Sequence, residues 1–120
     1  MLPISEAALD DRDAVERAAI AVEQAHGPFL LVSGGDDRVW ATGRMCEMIV
    51  KRMSRHGRAG DVTHLHYPRA GHMLFPYQRP SDAKYPAYPM DLGGSVTEDA
   101  ASHADAWGHV VDHLRQAAKR

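Results

Sequence analysis

The sequence has 120 residues, of which 44% are hydrophobic and 25% are charged, a composition typical of one ordinary globular domain. Its formal net charge is -2 and its 14 basic residues are scattered, which excludes the electrostatic footprint of a nucleic-acid-binding or membrane-surface protein. Cys46 is the single cysteine, so an internal disulfide is excluded and a cysteine-based structural zinc site is not expected.

The sequence also lacks the patterns of membrane-spanning and secreted proteins. No apolar run approaches the roughly 20 residues that are needed to span a bilayer. The first residues, Met1 to Glu6, do not have the basic segment followed by an apolar segment that marks a secretory signal. We therefore expect a cytoplasmic protein without nucleic-acid or membrane partners.

The amino-terminal part of the chain predicts a helix and then a buried strand. Residues 9–22 combine alanine and charged residues with a weak apolar stripe, which predicts the helix. A short apolar run follows, bounded by a Gly-Pro pair and a Gly-Gly pair; it is too short for a helix and predicts a strand near residues 29–33. Asp36 and Asp37 come directly after this strand, where an open parallel sheet carries its functional side chains.

A methionine-rich helix is predicted near residues 42–56. Thr42 can cap its first turn through the side-chain hydroxyl, and Gly57 can supply the left-handed residue that follows its end. Its apolar stripe consists of Met45, Met48, Ile49 and Met53. We interpret the stripe as core packing, with a flexible acyl-binding wall as the alternative, and the neighbouring Cys46 as a small buried hydrophobe rather than a nucleophile.

A second strand is predicted at residues 62–67, which are β-prone and end at Pro68. Strand, helix and strand in this order form a right-handed βαβ unit whose two strands are parallel. The second strand leads directly into the loop that carries His72. We therefore expect His72 to emerge at the same edge of the sheet as Asp37.

The rest of the chain predicts a loop and a final helix. Residues 75–95 contain four prolines and three tyrosines and predict an irregular loop, either a plain surface loop or a cover over a substrate. A helix near residues 97–118 is predicted by a capping box that begins at Ser95 and by an apolar stripe. The stripe consists of Ala100, Ala104, Trp107, Val111, Leu114 and Ala118. His109 and His113 lie on the opposite face without the glutamate of a zinc-protease motif, so we expect no metal there, and no cofactor is predicted.

The order of the candidate residues is typical of one catalytic arrangement. An acidic residue after one strand and a histidine after the next match the last two members of the Ser, Asp and His order of α/β-hydrolases. In such a triad the carboxylate holds the imidazole tautomer while the other ring nitrogen takes the proton of the nucleophile. The aspartates after the first strand and His72 are therefore candidates for acid and base, with a nucleophile expected upstream.

Three segments of the sequence resemble a known family. They run from Pro28 to Trp40, from Arg44 to Val50 and from His66 to His72. They resemble the C-terminal catalytic domain that acyl-CoA thioesterases share with bile acid-CoA:amino acid N-acyltransferases, and the likeness covers roughly residues 17–116. The resemblance implies Asp37, at the end of Gly-x-x-Asp, as the triad acid and His72, at the end of Ala-Gly-His, as the base.

The sequence departs from that family in what it lacks. Family members carry a nucleophile elbow of the form Gly-x-Ser/Cys-x-Gly on an earlier strand, and this sequence contains no such segment. Ser33 lacks the preceding glycine, and Cys46 lies inside a predicted helix. The earlier strands and the oxyanion-hole loop are also missing. We therefore expect residues 1–120 to form one partial domain, the C-terminal part of an α/β-hydrolase fold.

The sequence is compatible with three functions. The first is a fragment of an acyl-CoA thioester hydrolase or acyltransferase, which takes an acyl thioester or ester substrate when a missing N-terminal half completes it. The second is a non-catalytic interaction module, in which the exposed edge of the first strand pairs with a second copy or with a chain that bears the missing strands. The third is a dienelactone-hydrolase-like or peptidase-like fragment, because the Asp and His halves of these hydrolases look alike.

Overall fold

The computed structural model of the chain describes residues 2–74 and 91–119. Its regular elements, in chain order, are helices α1 (Leu2–Asp10) and α2 (Arg12–Ala18), strand β1 (Phe29–Gly34), helix α3 (Thr42–Arg55), strand β2 (Val62–Tyr67) and helix α4 (Val96–Ala117). Single turns of 3₁₀ helix lie at Val22–Gln24, Ala59–Asp61 and His72–Leu74. The loop predicted at residues 75–95 lies outside the described residues, except for its last five.

The two predicted strands form a parallel pair, which confirms the predicted α/β class. Their register runs from Phe29 opposite Val62 to Gly34 opposite Tyr67. Both strands therefore end at the same edge of the sheet, and the loops that follow them are neighbours. Helix α3 connects the two strands, as a βαβ unit requires.

Helices α3 and α4 cover opposite faces of this sheet. On one face, a side chain placed at Gly43 of α3 would lie 3.4 Å from the ring of His66. On the other face, the hydroxyl of Tyr67 donates a hydrogen bond to Asp105 of α4 at 2.6 Å. Because successive strand residues point to opposite faces, the two contacts put one helix on each side.

The amino-terminal segment differs from the single helix predicted at residues 9–22. The structure has two shorter helices that meet at Asp11, and the second ends at Ala18. The side chain of Asp11 accepts the backbone N–H of Ala14 at 2.9 Å, and this cap starts a new helix instead of continuing the first. The cap at Asp11 thus separates two helices in a segment whose apolar stripe is too weak to stabilise one continuous helix.

Helix α3 agrees with the prediction in its extent but not in its cap. Ala41 occupies the N-cap position without a side-chain hydrogen bond, and Thr42 is already helical. Thr42 therefore does not cap the helix, because it lies one residue past the N-cap position; its hydroxyl donates to the carboxylate of Asp37 in the loop after β1. Gly57, with φ of 71°, follows the helix end in the left-handed region, as predicted.

The methionine stripe of α3 is only partly core. Met53 is fully buried against the sheet, whereas Met45 is 38% exposed. Met45, Met48 and Ile49 line an open, mostly apolar groove of about 630 Å³ that they share with residues of the amino-terminal segment. Among the described residues that line this groove are neither Asp37 nor His72.

Helix α4 begins as predicted but presents an unexpected face to the sheet. Ser95 caps it by accepting the N–H of Glu98 at 3.2 Å. The predicted apolar stripe does not face inward, since Trp107 is 50% and Leu114 is 61% exposed. The residues that are buried on α4 are Asp99, Ser102, His103 and Ala106. The prediction of the stripe was wrong because polar contacts, described below, orient this helix.

The buried apolar residues come from the loops after the two strands and from helices α3 and α4. They are Val39, Ala41, Met53, Ala70, Leu74 and Ala106. None of the helices in the described ranges, 2–74 and 91–119, is long and apolar enough to cross a membrane.

Candidate catalytic site

The loops that follow β1 and β2 are joined by backbone hydrogen bonds at the carboxyl edge of the sheet. The N–H of Gly35 donates to the carbonyl of Tyr67 at 2.8 Å, and the N–H of Asp36 donates to the carbonyl of Ala70 at 2.9 Å. These bonds extend the pairing of the strands beyond their ends. They fix the distance between the loop that carries Asp37 and the loop that carries His72.

Asp37 and His72 meet at this edge. The Nδ1 atom of His72 lies 3.2 Å from each carboxylate oxygen of Asp37. Because an ionised carboxylate only accepts hydrogen bonds, Nδ1 carries the proton, and Nε2 on the far side of the ring is left as the basic nitrogen. The two strand ends thus bring together the two residues that the sequence singled out.

The carboxylate of Asp37 is held by three further donors. Its Oδ1 accepts the backbone N–H groups of Val39 at 2.9 Å and Trp40 at 3.0 Å, and its Oδ2 accepts the hydroxyl of Thr42 at 3.1 Å. The side chain of Asp37 is only 5% exposed, whereas that of His72 is 29% exposed. The buried carboxylate therefore has one fixed orientation, and the imidazole that it holds reaches the surface.

Two residues that the sequence analysis did not select complete the surroundings of His72. The ring of Trp40 stands edge-on to the imidazole, with 5.4 Å between the ring centroids and 79° between the planes. The backbone N–H of His72 donates to the carbonyl of Leu92 at 2.9 Å. Neither contact has a local sequence signal, because both join segments that are distant along the chain.

Comparison with known protein families now bears on this geometry. The family described as "BAAT / Acyl-CoA thioester hydrolase C terminal" matches residues 4–120. The chain belongs to this family. The resemblance stated from the three sequence segments is confirmed, and with it the assignment of the two-stranded α/β structure to the C-terminal domain of an α/β-hydrolase fold.

Curated relatives of this family domain include both enzyme types of the family's name. The human bile acid-CoA:amino acid N-acyltransferase is 31% identical over 97 residues, which cover 79% of this chain and 23% of that protein. The mouse peroxisomal succinyl-coenzyme A thioesterase is 30% identical over 96 residues, with 77% and 23% covered. The human acyl-coenzyme A thioesterase 6 is 28% identical over 98 residues. The chain thus spans less than a quarter of the length of these relatives.

A second layer of charge surrounds the Asp37 loop of the domain. The carboxylate of Asp36 accepts the backbone N–H of Gly94 at 2.8 Å and pairs with Arg38 at 3.0 Å, and Arg38 also pairs with Asp91 at 2.5 Å. The hydrogen bond from Gly94, followed by that from Arg38, lowers the pKa of Asp36. Asp36 therefore ties the segment at residues 91–94 to the β1 loop, while Asp37 faces the histidine.

A cluster of one serine and two histidines lies on the α3 face of the sheet. The buried hydroxyl of Ser33 lies 2.8 Å from Nε2 of His64 and 2.9 Å from Nδ1 of His66. Burial, with a smaller contribution from the charge of His66, lowers the pKa of His64. The parallel register sets Ser33 opposite His66, so pairing the two predicted strands in this register would have predicted the cluster. Ser33 is 2% exposed, so its hydroxyl is shielded from solvent.

Cys46 and the histidines of α4 do not add a second reactive centre to the domain. Burial raises the pKa of the Cys46 thiol, which is the opposite of what activates a nucleophilic cysteine. His109 is exposed and lies 3.8 Å from Asp105. Within the described ranges, no group of three or more histidine, cysteine, aspartate or glutamate side chains is arranged to hold a metal ion.

Proposed function

We propose that this chain provides the acid and the base of an acyl-CoA thioester hydrolase or acyltransferase, with Asp37 as the triad acid and His72 as the base. The observation that carries the proposal is the contact of His72 Nδ1 with both oxygens of a buried carboxylate at the carboxyl edge of a parallel pair. Membership of the BAAT / acyl-CoA thioester hydrolase family supports the substrate class.

In this proposal His72 Nε2 removes the proton from a serine or cysteine nucleophile as that nucleophile attacks the thioester carbonyl. Asp37 keeps the proton on Nδ1 and stabilises the imidazolium that forms. His72 then returns the proton to the leaving thiolate of coenzyme A. In the second half of the reaction it activates the acceptor, which is water in a hydrolase and an amine in an acyltransferase.

The nucleophile in this proposal comes from outside residues 1–120. The sequence contains no Gly-x-Ser/Cys-x-Gly elbow. Ser33 is buried between two imidazoles, and Cys46 lies within α3 with a raised pKa, so neither meets the needs of an exposed, activated nucleophile. General-base assistance alone contributes about 10²–10⁴-fold, against roughly 10⁶-fold or more for complete enzymes.

The test compares the chain alone with the chain in a completed hydrolase. The chain alone should not hydrolyse acyl-CoA or p-nitrophenyl esters above background. A chimaera in which the chain replaces the matching segment of the mouse succinyl-coenzyme A thioesterase should release free thiol, followed with a colorimetric thiol reagent. In the chimaera His72→Ala should lower the rate at least about 10²-fold, while His109→Gln, at an exposed site on α4, should not.

Two results would contradict the proposal. One is robust turnover by the isolated chain that is abolished by Cys46→Ala or Ser33→Ala, since the nucleophile would then lie within the chain. The other is a chimaera whose activity is indifferent to His72→Ala. If no chimaera folds, the protonation of His72 Nδ1 in the chain itself, measured by ¹⁵N NMR, still tests the acid–base pair.

The alternative function, an interaction module, rests on the edge of β1. Among the described residues β1 pairs only with β2, so its outer edge is not occupied by a described strand. Exposed apolar side chains on α4, Trp107 and Leu114, add to the surface that a second copy or a chain with further strands could cover. Sedimentation velocity tests this reading, because a clean and thermally robust monomer at high concentration would argue against it.

A further inference from the structure

Two side chains of helix α4 form hydrogen bonds to the two ends of the turn that carries His72. At one end, Oδ1 of Asp99 accepts the backbone N–H of Gly71 at 2.6 Å. At the other end, Nδ1 of His103 lies 3.0 Å from the carbonyl oxygen of Leu74, which can only accept, so the imidazole is the donor. The two α4 side chains are 2% and 3% exposed, so both hydrogen bonds are shielded from water.

The two contacts come from neighbouring positions on one face of α4. Asp99 and His103 are one helical turn apart on α4, about 6 Å along the axis. His72 lies between the two residues that they hold, in the single turn of 3₁₀ helix at His72–Leu74. The two α4 contacts hold the ends of the turn, and the hydrogen bond from the backbone N–H of His72 to the carbonyl of Leu92 holds its middle.

Glycines make the Asp99 contact possible. A Cβ at Gly94 would lie 2.6 Å from Oδ1 of Asp99 and 2.4 Å from the backbone nitrogen of Gly71, so it would crowd both atoms of the hydrogen bond. A Cβ at Gly71 would lie 2.3 Å from the carbonyl oxygen of Gly93. The backbone segments therefore cross without side chains at this point. Asp99 also lies in the first turn of α4, where the helix dipole favours a buried negative charge.

We propose that Asp99 and His103 are positioning residues for His72. They act through the backbone of the His72 turn and set the distance between the imidazole and Asp37. The proposal rests on the proposed function, in which His72 is the base. Displacing a reacting group by about 1 Å can lower a rate about 10²-fold, so a loosened turn should impair catalysis without removing any catalytic group.

The test follows the imidazole of His72 directly by ¹⁵N NMR on the full 120-residue chain. In the wild type, the shifts of the two ring nitrogens should report the Nδ1–H tautomer, held by Asp37. In Asp99→Leu and in His103→Leu this tautomer should lose its excess, and the shifts should move toward those of a free histidine. Asp99→Asn should retain the wild-type shifts, because its amide oxygen still accepts the N–H of Gly71.

Matched controls come from the exposed side of the same helix. Asp112→Leu and His109→Leu remove the same residue types from α4 at exposed positions, and neither should change the His72 shifts. Asp37→Asn is the positive control, because it replaces the carboxylate that holds the tautomer.

Each outcome decides a separate question. Folded leucine variants that keep the wild-type shifts would overturn the positioning role, as would an Asp99→Asn variant that is as impaired as Asp99→Leu. Global unfolding of both leucine variants would assign the α4 contacts to stability alone and would also overturn it. A wild-type chain without the Nδ1–H tautomer would instead contradict the proposed acid–base pair, so the two failures are distinguishable.

Discussion

Gly93→Ala should destabilise the protein far more than Gly57→Ala, although the two glycines have nearly the same backbone conformation. Their φ angles are 70° and 71°, in the left-handed region where a Cβ costs about 1–2 kcal/mol. At Gly57 an added Cβ would meet no atom within 4 Å. At Gly93 it would lie 1.6 Å from the carbonyl oxygen of Asp36, which is backbone and cannot swing away.

The magnitudes follow from that comparison. Gly57→Ala should lower the free energy of unfolding by the backbone term alone, about 1–2 kcal/mol. Gly93→Ala must in addition force two backbone segments apart, and such overpacking typically destabilises by about 1–3 kcal/mol. The total loss in the free energy of unfolding should therefore be about 2–5 kcal/mol. Because His72 donates its backbone N–H to the neighbouring Leu92, the same change should also disturb the resonances of His72.

Urea unfolding followed by far-ultraviolet circular dichroism measures the two free energies side by side. A Gly93→Ala variant that is too unstable to fold agrees with the reasoning, provided that Gly57→Ala folds. Equal losses in the two variants would refute it, since the close approach of residues 91–94 to the β1 loop would then contribute nothing beyond backbone strain.

Three further predictions concern titrating groups. Hydrogen bonding to Arg52 lowers the pKa of Glu23 from 4.5 to about 2. Glu23 therefore contributes stability above its ordinary pKa, and this contribution is lost as the pH falls through about 2. Glu23→Gln should reduce the fall of the melting temperature at acid pH. Burial raises the pKa of Cys46, and its thiol should react with dithionitrobenzoate more slowly in the folded chain than in urea; equal rates would contradict this. Burial and a hydrogen bond to Asp105 raise the pKa of Tyr67, so Tyr67→Phe should remove a phenolate absorbance step that lies above the ordinary tyrosine pKa.

Local patterns in the sequence determined the βαβ unit and the meeting of its two candidate catalytic residues. The apolar run at residues 29–33 was too short for a helix, and Pro68 ended the second run, so both segments were predicted as strands. Parallel strands joined by a helix must end at one edge, and this topological rule predicted that Asp37 would approach His72.

The extent of the first helix and the N-cap of α3 each depended on a choice between two local conformations of similar free energy. Asp11 could continue a helix or cap the next one, and the weak apolar stripe around it supplied no packing energy to prefer continuation. Helix α3 could begin with Thr42 as its N-cap or as its first helical residue, and in the structure Thr42 is helical and donates its hydroxyl to the carboxylate of Asp37. Both choices turn on free-energy differences of about 1 kcal/mol, which a single sequence does not resolve.

The orientation of α4 was decided only by the tertiary structure. Its periodicity is that of an amphipathic helix, and hydrophobicity alone selects the side with Trp107 and Leu114 as the inner one. The structure turns Asp99 and His103 inward, because the N–H of Gly71 and the carbonyl of Leu74 are buried polar groups that need partners. The sequence by itself thus determined which residues form the strands and which side chains follow them. Which face of α4 contacts the loop after β2 depended on backbone groups whose positions exist only in the folded chain.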